Sequence, residues 1–323
     1  MIFAVLPFLA LSQQAPVELT RKFTTGEKLT YRVEAELNSE ERSGMTQTWI
    51  PSDFNLSYAF TTLVKAVKAD GIADMEYRRP NFVTVEGETF EKAPVRRVEK
   101  DPSTVLLKIS PINEIIDYKI VTPPKKPVKK PVKKGKANWA TTTPNVQIPI
   151  VGEFIGELQR LSLFVGSLSS ALDFNPKFPF EEVKVGDTWQ RTVSYQPQKL
   201  KGKNGKQAVQ RLDFTYMYAG EMTVGGKKIR RVTGTTKLDT DLGEFFNQLF
   251  DAKPDETGLK GMPLKFEATI EFDLDPANGR TLKAVAKSNG NFQLFLTDRP
   301  DEAVMEQKFK GQTIMSLTSV GKA

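Results

Sequence analysis

Residues 123 to 136, Pro-Pro-Lys-Lys-Pro-Val-Lys-Lys-Pro-Val-Lys-Lys-Gly-Lys, can join neither a sheet nor a helix. Their prolines remove amide donors, and their lysine pairs repel one another. The tract is expected to be an extended, solvated loop over 122–145, reaching about 40 Å if its 14 residues take the polyproline II form. It divides the chain into a first β-rich unit (17–121) and a second (176–323), so the fold must be built around an interruption.

The loop runs into an amphipathic stretch at 146–175. There Phe154, Leu158, Leu161, Val165, Leu168 and Leu172 recur at spacings of four and three, with Ile155 and Phe164 widening the stripe. That period predicts a helix over Val151 to Asp173 with one apolar face. Burying eight such side chains is worth on the order of 12 to 24 kcal/mol as an upper bound, so the helix must be covered. The sheet is the expected cover, and the stripe either fills a core or lines a pocket for a hydrophobic ligand.

Both flanks carry strand periodicity. Leu29, Tyr31, Val33, Ala35 and Leu37 alternate with polar residues, the pattern of a half-buried strand. Asp70-Gly71 and Gly225-Gly226 each stand between strand-like runs, as do Ser110 to Glu114 and Asp275 to Gly279. Gly186-Asp-Thr-Trp-Gln-Arg-Thr-Val193 also matches Gly26-Glu-Lys-Leu-Thr-Tyr-Arg-Val33 in its glycine, acid, large apolar residue and closing valine. The three pairs of landmarks recur in one order at offsets of 160, 154 and 165 residues, which suggests a duplication. The expected fold is mainly β (α+β): antiparallel sheets from two related units with a packed amphipathic helix.

The formal net charge of +7 is local. Seven lysines of the tract (Lys125, Lys126, Lys129, Lys130, Lys133, Lys134 and Lys136) account for it, and the remainder carries 39 basic against 39 acidic residues. Anion affinity is therefore expected at those seven lysines, not on a basic face suited to specific nucleic-acid binding. Met1 to Ser12 is an apolar run ending in Ala10-Leu11-Ser12, the pattern of a signal peptide, which points to a periplasmic or extracellular protein. No other run is long and apolar enough to span a membrane; Ile150 to Leu172 is interrupted by Glu153, Glu157 and Arg160.

Chemistry is bounded by what the chain lacks. With no His and no Cys, it cannot build imidazole-based triads, HExxH zinc sites or thiolate metal sites. Asp273 to Gly279 has the wrong spacing for a calcium loop and no Glu at the twelfth position. Paired-carboxylate hydrolysis needs only Asp and Glu, but nothing marks two acids as a pair. No cofactor, metal or catalytic residue is expected.

Leu19-Thr-Arg-Lys-Phe-Thr-Thr-Gly-Glu27 and Phe178-Pro-Phe-Glu-Glu-Val-Lys-Val-Gly-Asp-Thr-Trp189 resemble the first-strand and Val-Lys-Val-Gly-Asp-Thr-Trp motifs of an uncharacterised family of secreted bacterial β-rich proteins. That resemblance implies an exported β protein and supplies no activity. The leading expectation is a non-catalytic cell-envelope or secreted protein with a binding or structural role, holding a hydrophobic small molecule or lipid under the helix by fold-level analogy. The alternatives are docking on anionic envelope polymers or lipids through the lysine tract and, behind it, a carboxylate-dependent hydrolase.

Overall fold

A computed structural model describes residues 15–43, 48–86, 95–122, 156, 158–165, 172–174, 176–195, 209–243, 245–246 and 258–322. The segment 1–12 expected to be a signal peptide, all seven tract lysines, Phe154 and Leu168 lie outside the described residues.

The described chain is mainly β. The first half supplies β1 (Glu27–Ser43), β2 (Ile50–Pro51), β3 (Phe54–Val67), β4 (Ala73–Glu86), β5 (Val95–Lys100), β6 (Thr104–Ile109) and β7 (Ile115–Val121). The second supplies β8 (Thr188–Tyr195), β9 (Gln210–Val224), β10 (Lys227–Asp241), β11 (Leu259–Gly261), β12 (Pro263–Leu274), β13 (Thr281–Leu296) and β14 (Arg299–Lys322). The turns form where local chemistry asks for them: Gly225 and Gly226 both take positive φ between β9 and β10, as a two-residue hairpin loop requires.

The antiparallel sheets expected from the two units are a single sheet. Among the described residues the fourteen strands form one antiparallel sheet, in the order β7-β6-β4-β3-β1-β14-β13-β12-β10-β9-β8. The halves merge because β1 pairs with β14 from Glu27↔Lys322 to Ser43↔Met305. Alternation along β1 buries Leu29, Val33 and Leu37 on one face and exposes Lys28, Arg32, Glu34 and Glu36 on the other.

This sheet is curled around residues 158–179. The Phe164 ring lies 5.9 Å from that of Phe214 on β9, Leu172 N donates to Phe164 O at 3.3 Å, and Asp173 accepts from Tyr77 on β4 at 2.6 Å. Laid flat, β4 and β9 would stand seven strand spacings apart, about 34 Å. One short segment touches both only if the apolar face is concave.

At one end of this trough the edge strands β7 and β8 are bridged. Phe178 N donates to Ile112 O in the β6–β7 turn, Trp189 Nε1 on β8 donates to Lys177 O at 2.7 Å, and Arg191 Nη2 donates to Phe178 O. The N-terminal segment crosses the same end: Arg21 N donates to Pro111 O and Lys22 N to Asn278 O, joining the two hairpin turns.

The helix is also corrected. Residues 156 and 158–162 are helical, but the stretch predicted over Val151 to Asp173 does not run through. Phe164 takes φ +53, a left-handed conformation that ends a helix, and a separate 3-10 turn follows at Leu172–Phe174. The ring of Phe164 packs between Phe214 and Phe266, so tertiary contact overrides the local preference. Residues 242, 243, 245 and 246 are also helical.

Candidate functional site

Four of the predicted stripe residues are described, and all four are buried: Leu158, Leu161, Val165 and Leu172. The helical segment sits directly on the sheet. Ser288 Oγ of β13 donates to Ser162 O at 2.6 Å, and Thr313 Oγ1 of β14 donates to Leu163 O at 2.7 Å. These bonds satisfy two carbonyls that the helix end leaves open.

Inside the trough the chain half-buries a polar group that the sequence did not single out. Asp173 Oδ1 accepts from Tyr58 Oη at 2.8 Å and Oδ2 from Tyr77 Oη at 2.6 Å. Burial raises the Asp173 carboxyl above the usual carboxylate range, against the opposing pull of Tyr77, Arg79 and Tyr58. Burial likewise holds both tyrosines well above their ordinary values, and the neighbouring Asp173 charge adds to it. Arg79 lies over the rings of Tyr58 and Phe82, at 5.2 and 5.0 Å.

A second polar set occupies the bridged end. Arg21 pairs with Glu27, whose other oxygen lies 3.5 Å from Arg280 Nη1, and Arg280 Nη2 reaches Asp275 at 2.8 Å. Asp275 is thereby a turn residue: it also accepts from Ala277 N and Asn278 Nδ2, which leaves the calcium-loop resemblance as hairpin chemistry. Lys177 donates to Asn113 O, and burial pulls its ammonium down to about 8. Between the two sets lies a cavity of about 50 Å³ bordered by Arg21, Tyr31, Asn113 and Asp173, room for about one or two waters.

The trough opens at β7. Tyr118 stands opposite Leu107 of β6, and Ile120 opposite Val105. Leu107 and Val105 are buried, so both β7 residues lie on the core-facing side of the sheet. They are nonetheless 43% and 50% exposed. The apolar concave face therefore continues, half-exposed, to the edge of the sheet.

Among the described residues no cluster of three or more carboxylates could hold a metal ion. The enclosed carboxylate Asp173 is bonded to tyrosines and has no acidic partner in that network. No described helix is long and apolar enough to cross a membrane.

No protein-family model matches the chain, and no curated protein does. Among solved structures it is similar to lipovitellin, in a structure of its lipid–protein interactions, at 12% identity and a TM-score of 0.43; the match covers 93% of this chain and 26% of that one. The chain thus spans about a quarter of the lipovitellin chain. It is similar to Pseudomonas aeruginosa OccK7 (OpdD) at 7% identity and a TM-score of 0.26, over 91% of this chain and 99% of that one. A DUF1329 family protein from Desulfovibrio piger matches at 11% identity and a TM-score of 0.20, over 91% of this chain and 86% of that one.

Proposed function

We propose that this chain is an exported, non-catalytic binding protein that holds a hydrophobic small molecule or lipid against the concave face of its curled sheet. The observation that carries the reading is the continuation of the apolar face to the solvent-accessible edge at β7, where Ile120, half-exposed, stands in line with buried Val105. Exposed apolar area that continues a core costs solubility and is a common mark of a ligand or partner site. The ligand's place is beside the helical segment rather than beneath it, because Leu161 and Phe164 already occupy the trough against strand side chains.

The same reading takes 17–121 and 176–323 as two related units, each traced by an antiparallel meander. Matching local geometry supports it. Gly26 and Gly186 both take positive φ before β1 and β8, at +83° and +91°. Gly26 N donates to Val64 O on β3, and Gly186 N to Tyr218 O on β9. Glu27 N closes a turn on Thr24 O, and Asp187 N closes one on Lys184 O.

Uptake of a fluorescent fatty acid, cis-parinaric acid, tests the ligand. Wild-type protein is expected to enhance its emission, and Tyr118→Asp with Ile120→Asp to lose most of that enhancement with an unchanged unfolding midpoint. Val224→Asp, at an exposed position on the β9–β10 hairpin, is expected to behave as wild type. Wild-type protein that takes up neither the fatty acid nor an uncharged apolar dye would overturn the reading.

A further inference from the structure

The opposite face of the sheet carries a groove of about 1080 Å³ that runs across β1, β14, β13, β12 and β10. Its origin is in two glycines that point inward. A Cβ at Gly290 would meet the Lys265 carbonyl oxygen and the Phe309 ring, and one at Gly311 would meet Ser288, Leu163 and Ser162 O. With no side chain at Gly311, the β14 backbone approaches the helical segment closely, and with none at Gly290 β13 packs tightly against β12 and Phe309, leaving the outer surface to these two strands' outward residues.

The floor of this hollow has a defined chemistry. Three outward cross-strand pairs of β13 and β14 lie in succession: Lys287↔Gln312, Asn289↔Lys310 and Asn291↔Lys308. That places three ammonium groups and three carboxamides together, with no acid among them. Among the described residues Lys287 and Lys310 have no ion-pair partner, while Lys308 rests 4.3 Å from the centre of the Trp49 ring. Acids stand at the flanks: Glu36 and Glu40 on β1, Asp53 before β3, Asp239 on β10, near Lys265, and Glu267 on β12, engaged by Asn289 and Lys237, so the flanks are acidic and the positive charge is confined to the floor.

We infer that this groove is a binding site for a segment of an acidic polysaccharide, its carboxylates taken by Lys287, Lys308 and Lys310 and its hydroxyls by Asn289, Asn291 and Gln312. Carboxamides both donate and accept, as alternating hydroxyl groups require, and ammonium groups supply point-charge recognition of carboxylates. A flat anionic membrane surface would meet the rims before the floor. A nucleic acid would bring a denser row of phosphates against the flanking acids. The inference does not rest on the hydrophobic-ligand reading, since the two sites lie on opposite faces of the sheet. It also assigns anion recognition to residues other than the tract lysines.

The test is calorimetric titration of the full chain with alginate oligosaccharides, alongside neutral dextran oligosaccharides, a duplex DNA and phosphatidylglycerol vesicles. Three proteins are compared: wild type, K287Q/K308Q/K310Q, and a variant with all seven tract lysines changed to Gln. The expected result is uronate binding by wild type and by the tract variant, weakened at higher salt, and a loss of about tenfold or more in the groove variant. The groove lysines are exposed, so the triple variant should keep the wild-type unfolding midpoint. Absence of uronate binding by wild type overturns the inference. So does equal binding by the groove variant, loss in the tract variant instead, or a preference for DNA, vesicles or dextran over alginate.

Discussion

Asp173 carries an enclosed charge with two tyrosine donors, and its pH dependence follows from the direction of its shift. Because burial raises its carboxyl above the ordinary value of 3.8, the folded chain holds this proton to higher pH than the unfolded chain does. Between those two values the folded state binds more protons, so the contribution of Asp173 to stability is full below the window and falls as pH rises through it. Urea midpoints measured across mildly acidic pH should therefore show, for wild type minus Asp173→Asn, a decline with rising pH that levels off above the raised value. A flat difference would mean that the carboxyl titrates as it does in the unfolded chain. No local pattern could have marked this residue: its partners Tyr58 and Tyr77 are 115 and 96 positions away, and only the curl of the sheet brings them together. Lys287, Lys308 and Lys310 were illegible for a related reason. Each is an ordinary outward residue of an alternating strand, and only the register sets them side by side.

At the level of elements, the local signals were the legible ones. Alternation along Leu29 to Leu37 specifies which face of β1 is buried, and the Asp70-Gly71 and Gly225-Gly226 turns stand where their dihedral needs place them. The helical stripe was legible as buried, but its length was not. Phe164 ends the helix with a left-handed backbone that its own sequence disfavours, held by packing between Phe214 and Phe266. In urea titration Leu161→Ala is expected to cost about 2 to 5 kcal/mol and Phe164→Ala about 3 to 5 kcal/mol, because each leaves a void among strand side chains that are already packed. A much smaller loss at both positions would indicate that the trough collapses around the segment, or that a ligand and not the protein fills the space beside it.

At the level of the whole molecule, the joining of the halves is what sequence could not reveal, since the β1–β14 pairing links distant positions and has no local signature. The ladder makes the two halves one cooperative body, so one unfolding transition is expected in urea. Replacing Pro123 to Lys136 by a Gly/Ser linker of equal length should shift its free energy by less than about 1 kcal/mol, because that tract has almost no apolar surface to bury. A larger loss would mean that the lysines and prolines pack on the sheet. The central ladder also has a cost in time. Its partners, such as Glu27 and Lys322, are nearly a whole chain apart, so β1 must wait beside β3 with its other edge bare until β14 has been made and has found it. During that wait a flat apolar strand would recruit neighbouring molecules. The outward row of Lys28, Arg32, Glu34, Glu36 and Glu40 instead sets charges along the waiting edge, a guard against aggregation that has its greatest value before the native state exists.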